Sequence, residues 1–212
     1  MLSGGCKDKR ASNGEITSNK TGQGATSKEA VKNILFFGNS LTAGYGLEPE
    51  QAFPSLIQNK IDSAGLNYKV VNAGVSGETT AGGNSKIDWI LKQPIDIFIL
   101  ELGANDGLRG IPVNETKRNL QAIIDKVKGK YPQAKIILAG MQIPPNMGAD
   151  YSTAFKNVFS DLAASNSLTL IPFLLEGVGG NRALNLPDGI HPSAEGHKII
   201  AENVWKFIEG IL

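Results

Sequence analysis

Four short segments of this chain hold residue types that do chemistry when brought together. They are Gly38-Asn39-Ser40-Leu41, Val75-Ser76-Gly77-Glu78, Gly103-Ala104-Asn105-Asp106 and Asp188-Gly189-Ile190-His191. Between them they offer a hydroxyl nucleophile, donors for an oxyanion, and a carboxylate beside an imidazole. Those are the components of acyl transfer through a serine nucleophile.

Asp188 and His191 form the strongest pair. A spacing of three lets one turn carry both side chains to the same side, so that the carboxylate orients the ring and stabilises its protonated form. Pro187, Gly189 and Pro192 stiffen that turn. Ser40 follows a first apolar run; a helical turn starting there would aim its amide, a free donor, at a bound substrate. Gly77 lets an amide approach a ligand closely, and the Asn105 side-chain amide suits a developing oxyanion. Each has a plainer reading when taken alone: Ser40 as a helix cap, Gly77 and Asn105 as turn formers. Ser76 reads as a turn residue. His197 falls inside a helical pattern and is expected to pack or to face solvent.

The segment Asp106 to Ile111 holds Gly107 and Leu108 beside the oxyanion residue and reads as a loop able to move over a substrate. Met141 and Ile143, after the fourth apolar run, are expected to line an apolar wall. Ordinary core packing would account for them equally well.

Positioning these loops requires a sheet. Apolar runs at Ile34–Phe37, Tyr68–Val71, Ile95–Leu100, Ile136–Ala139 and Leu168–Ile171 read as five strands. Runs that are apolar on both faces suit strands buried between helical layers. Helical periodicity covers Phe53–Ala64, Asn114–Lys128, Tyr151–Ala164 and Ser193–Ile208, the last opening on a serine cap. Strand–helix alternation of this kind predicts an α/β fold with a five-stranded parallel sheet flanked by helices on both sides.

The bulk properties narrow the function classes. A length of 212 residues suits one domain. A net charge of +1 gives no global field towards nucleic acid, and no basic stripe with aromatics is present. No run approaches the roughly 20 apolar residues of a membrane-spanning helix. One cysteine and two histidines, His191 and His197, leave no material for a structural metal site.

Residues 1–29 differ from the rest: rich in Ser, Gly, Asn, Thr and Lys, without aromatics, and expected to form a flexible tail ahead of a domain spanning 30–212. The start, Leu2-Ser3-Gly4-Gly5-Cys6, resembles the cleavage region of a bacterial lipoprotein signal, with Cys6 as the lipidated residue and a membrane tether. The alternative is a terminus with an incidental thiol.

Taken in order, Ser40, Gly77, Asn105 and His191 resemble the four blocks of the SGNH hydrolase superfamily, also called GDSL esterases. Gly-Asn-Ser-Leu-Thr-Ala-Gly-Tyr-Gly-Leu and Glu-Leu-Gly-Ala-Asn-Asp-Gly-Leu-Arg-Gly are most similar to its bacterial arylesterase branch, which includes the thioesterase I/lysophospholipase type. The resemblance covers about Asn33 to the C-terminus. It implies a three-layer α/β/α flavodoxin-like fold and a cofactor-free serine esterase acting on small-molecule carboxylic esters of short to medium chain. It also implies a triad of Ser40, His191 and Asp188, an oxyanion hole from Ser40, Gly77 and Asn105, and a periplasmic or cell-envelope setting, with a cytoplasmic one as alternative. Asn39 departs from the family's usual Gly-Asp-Ser-Leu; there the aspartate organises the loop and is not the triad acid. Other readings are a carbohydrate O-deacetylase of the same superfamily, and a non-catalytic glycan-binding lipoprotein. A flavodoxin-like nucleotide binder is disfavoured, because no glycine-rich phosphate motif follows the first strand.

Overall fold

Among the described residues, five strands form one parallel sheet: β1 (Lys32–Gly38), β2 (Tyr68–Gly74), β3 (Ile97–Glu101), β4 (Lys135–Ala139) and β5 (Thr169–Ile171). Their order is β2-β1-β3-β4-β5. The computed structural model describes residues 30–212, so the tail expected over 1–29, Cys6 included, lies outside the described residues. In β1, Ile34 to Phe37 are buried on both faces, which is why that run shows no alternation.

Among the described residues, seven α-helices connect and cover the strands: α1 (Ser40–Ala43), α2 (Phe53–Ser63), α3 (Thr80–Ile90), α4 (Ala104–Leu108), α5 (Val113–Lys130), α6 (Ala149–Asn166) and α7 (Ala194–Ile208). α2 packs with α7, and α5 packs with both α3 and α6, so the sheet lies between two helical layers. Core side chains lock the layers together. Phe36 of β1, for example, meets Phe53 of α2 edge-on at 5.5 Å between ring centroids. Four helices and all five strands fall within a few residues of the sequence expectation. α3 does not emerge from the pattern, because Gly82 and Gly83 break its apolar face and only Ile87 and Ile90 are apolar and buried.

The strand order sets up the site. From β1 the chain moves to β2 on one side, then returns past β1 to β3 on the other. Such a switch point opens a crevice at the carboxyl ends of the strands. Gly38 ends β1 level with Gly74 of β2 and Glu101 of β3. The loops that follow, carrying Ser40, Gly77 and Asn105, therefore leave the sheet at one edge.

Candidate active site

Ser40 opens α1, where the backbone leaves β1 through Gly38 and Asn39. Its Oγ lies 3.0 Å from Nε2 of His191, across 151 residues of sequence. Nδ1 of the same ring lies 2.7 Å from Oδ2 of Asp188. An ionised carboxylate only accepts, so Nδ1 carries the hydrogen and Nε2 is left to accept from the serine hydroxyl.

The Asp188–His191 turn is fixed at both ends. Leu186 N donates to His191 O at 2.7 Å and Gly189 N to Leu186 O at 2.9 Å. Oδ1 of Asp188 accepts from the amides of Ile190 and His191, at 2.8 and 3.0 Å. The hydrogen bonds from the His191 backbone and ring, and then from Ile190, hold the Asp188 carboxyl down at about 2. Its charge therefore persists throughout the mildly acidic range.

The oxyanion donors expected from the sequence come from neighbouring loops. Gly77 adopts φ +81°, a left-handed conformation suited to glycine, and its carbonyl accepts from Arg109 Nη2 at 3.2 Å. Asn105 Nδ2 donates to Glu78 O at 2.9 Å, and the second hydrogen on that nitrogen is not used by this bond.

The residues expected against substrate divide. Leu108 is exposed, whereas Met141 and Ile143 are buried and Gly107 packs beneath Ile143 and Phe155. Asp106 does not face a substrate: it is fully buried, and its carboxylate accepts from the Thr80 amide at 2.9 Å and from the Thr80 hydroxyl. It pins α3 to the start of α4. His197 packs rather than facing solvent. Its Nδ1 accepts from Phe53 N at 3.0 Å, which caps α2, and burial pushes the ring down to about 4, with the nearby His191 a lesser cause.

Three participants were not singled out by sequence reasoning. The Tyr45 ring lies 4.4 Å from the His191 ring, centroid to centroid. Its place just after the Ser40 block was the only signal. Arg109, on the Gly77 carbonyl, sits within the Asn105 block. Glu101 is 0% exposed and receives four hydrogen bonds at the root of the Ser40 loop. Oε2 accepts from Asn39 N at 3.1 Å, Thr42 N at 3.2 Å and Thr42 Oγ1 at 2.7 Å. Oε1 accepts from Asn39 Nδ2 at 2.6 Å. Burial lifts its carboxyl to about 7, against these hydrogen bonds, which favour the anion. As the last residue of a buried strand, Glu101 carries a signal that periodicity does not interpret. Among the described residues, no group of three His, Cys, Asp or Glu side chains is placed to hold a metal ion.

Residues 36–199 match the model of the GDSL-like lipase/acylhydrolase family. The chain is 37% identical to Esterase TesA of Pseudomonas aeruginosa, over 88% of this chain and 92% of the relative. The crystal structure of TesA superposes with a TM-score of 0.82, covering 85% of this chain and all of that one, at 37% identity. This chain is also 34% identical to thioesterase 1/protease 1/lysophospholipase L1 of Escherichia coli K12, over 86% of each chain. A structure of the psychrotrophic esterase EstA from Pseudoalteromonas sp., inhibited by monoethylphosphonate, matches with a TM-score of 0.79 and 33% identity, over 84% of this chain and 97% of that one.

Proposed function

We propose a mechanism from the premise that this chain belongs to the GDSL-like lipase/acylhydrolase family and, like its relatives, is a carboxylic ester hydrolase. Ser40 is the nucleophile, His191 the general base and acid, and Asp188 the carboxylate that orients the ring. The observation that carries this reading is the 3.0 Å contact from Ser40 Oγ to His191 Nε2, with Asp188 on the far side of the ring.

Oγ attacks the ester carbonyl as its proton passes to Nε2. The oxyanion is met by the amides of Ser40 and Gly77 and by Asn105 Nδ2. The C–O bond to the alcohol breaks, and the alcohol leaves with the proton from Nε2. Water then attacks the acyl-enzyme, giving its proton to Nε2, and Ser40 regains a proton as the carboxylic acid departs.

Short- to medium-chain acyl esters suit the surroundings. Tyr45, Val75, Leu108 and Ile190 are four of the six exposed large hydrophobic residues described, and each lies on one of the loops bearing Ser40, Gly77, Asn105 or His191. An apolar rim of this kind favours an acyl chain over a sugar. Met141 and Ile143 form the inner wall behind it, with Gly107 and Asp106 as scaffold. The same reading puts the enzyme in the periplasm or cell envelope, with Cys6 as its lipid attachment point, which the small-residue approach to that cysteine supports. Among the described residues, no helix is long and apolar enough to cross a membrane.

A fluorophosphonate probe tests the assignment together with a series of p-nitrophenyl esters. The expected result is labelling at Ser40, hydrolysis that declines beyond medium chains, and neither in Ser40→Ala. Undiminished turnover by Ser40→Ala removes the mechanism, and a sharp preference for acetylated sugars replaces the substrate class.

A further inference from the structure

The Ser40 hydroxyl has two acceptors within reach: His191 Nε2 at 3.0 Å and Asn39 Oδ1 at 3.4 Å. Which end of the Asn39 amide faces Ser40 therefore matters. An oxygen there leaves the lone pairs of Oγ unencumbered. An NH2 group there would donate into them and blunt the nucleophile.

Asn39 itself offers no local preference between its two ends except through its partners. Oδ1 accepts from Leu41 N at 2.9 Å, while Nδ2 donates to Glu101 Oε1 at 2.6 Å. Turning the amide over would set NH2 against the Leu41 amide, donor to donor, and oxygen against a carboxylate oxygen, acceptor to acceptor. The backbone amides of Asn39 and Thr42 hold the other carboxylate oxygen, so Glu101 cannot rotate to adapt. The shift in Glu101 has only burial and its Asn39 and Thr42 partners as causes, with no charged neighbour among them.

We propose that Glu101 is a positioning residue for catalysis: its buried carboxylate fixes the Asn39 amide with Oδ1 towards Ser40, and the Asn39–Glu101 pair works as a matched donor and acceptor. This rests on Ser40 being the nucleophile. An acid at position 39 would face Glu101 with no hydrogen between the two oxygens unless they shared a proton. A glutamine at position 101 would present NH2 to the NH2 of Asn39 and drive the amide over. Making both changes exchanges donor for acceptor. The introduced glutamine amide then donates to the introduced carboxylate, whose other oxygen still accepts from Leu41 N and faces Ser40.

The test compares wild type, Glu101→Gln, Asn39→Asp and the double variant, by the rate of fluorophosphonate labelling and by kcat and KM, with circular dichroism checking folding. Glu101→Gln is expected to label and turn over about 10–100-fold more slowly, the scale of one mismatched buried polar contact, with KM little changed. Asn39→Asp is also slowed, and the double variant recovers most of the rate. A merely structural role lowers stability without this split between kcat and KM. A folded Glu101→Gln protein labelling at the wild-type rate, or a double variant no faster than Glu101→Gln, overturns the proposal. Should Glu101→Gln fail to fold, a double variant no faster than Asn39→Asp does the same. A wild-type chain that the probe does not label overturns the hydrolase reading first, and this proposal with it.

Discussion

Asn105 Nδ2 donates to the main-chain oxygen of Glu78 at 2.9 Å, so the loop after β3 holds the loop after β2. Gly77, whose amide is assigned to the oxyanion, is the residue before Glu78. Under the proposed mechanism, one side chain serves as a donor and also fastens the loop of the neighbouring donor.

Asn105→Ala should consequently lose more than one hydrogen bond. The expected fall in kcat is about 10²–10³-fold, the scale of one oxyanion donor, reaching or passing the upper end because Gly77 is also released. Steady-state kinetics on p-nitrophenyl acetate checks this, and a loss below tenfold would remove Asn105 from the oxyanion site.

Asp188 sits at about 2, below the ordinary carboxylate value of 3.8, mainly through hydrogen bonds from His191. The sign is that of a depressed acid: its contribution is complete above the ordinary value and is lost as pH falls through about 2. Acidification should therefore end activity without a contribution from Asp188 over the mildly acidic range. No second step from Asp188 should appear until far lower pH. Asp188→Asn keeps the shape but allows the wrong tautomer, and should cost about 10⁴-fold in kcat. An acidic step in the pH–rate profile at the ordinary carboxylate value of 3.8 would contradict the assignment.

Two buried groups pull stability in opposite directions. Burial lifts Glu101 from 4.5 to about 7, so its contribution is full below 4.5 and is lost as pH rises through about 7. Burial lowers His197 from 6.5 to about 4, so its contribution is full above 6.5 and is lost as pH falls through about 4. Over the range they share, the two slopes oppose. His197→Gln, which retains an acceptor for Phe53 N, should uncover the Glu101 slope: urea midpoints that decrease as pH rises from about 4.5 to 7. A flat profile in that variant would show that Glu101 does not titrate there.

Two glycines should fail for different reasons. A Cβ on Gly38 would press into Thr42 Oγ1 and Glu101 Oε2, so Gly38→Ala should destabilise by about 1–3 kcal/mol through overpacking and disturb Ser40. Gly77 has open space, with Arg109 Nη2 the nearest atom at 3.9 Å, but a positive φ of 81°. Gly77→Ala should cost about 1–2 kcal/mol as backbone strain and mainly re-aim its amide, lowering kcat. Denaturation curves beside kcat values separate the two, and equal effects on both quantities would refute the distinction.

The sheet was legible because Ile34–Phe37 and Ile136–Ala139 are apolar on both faces, and the long helices because their apolar stripes are regular. Ser40, Gly77 and Asn105 were legible as blocks placed after strands, and Asp188 and His191 as a pair spaced to share one turn. What stayed hidden depends on long-range partners. α3 owes its start to the Thr79 cap and to Asp106 binding Thr80, 26 residues away. Asp106 looked like a loop residue because its sequence neighbours are glycine and asparagine, and nothing local indicates that its carboxylate turns inward. Glu101 ends an apolar strand, and only the close approach of α1 to that strand end turns its charge into an anchor.

Asp188 and His191 share one short turn, closed by Leu186 and His191, whereas Ser40 arrives from the opposite end of the chain. The Asp188–His191 distance is thus insulated from most of the molecule, and the His191–Ser40 distance is not. Damage remote from the site, in α7 or along β1, will register as a widened gap between two intact halves. Its signature is a folded chain that loses activity while the Asp188–His191 hydrogen bond persists.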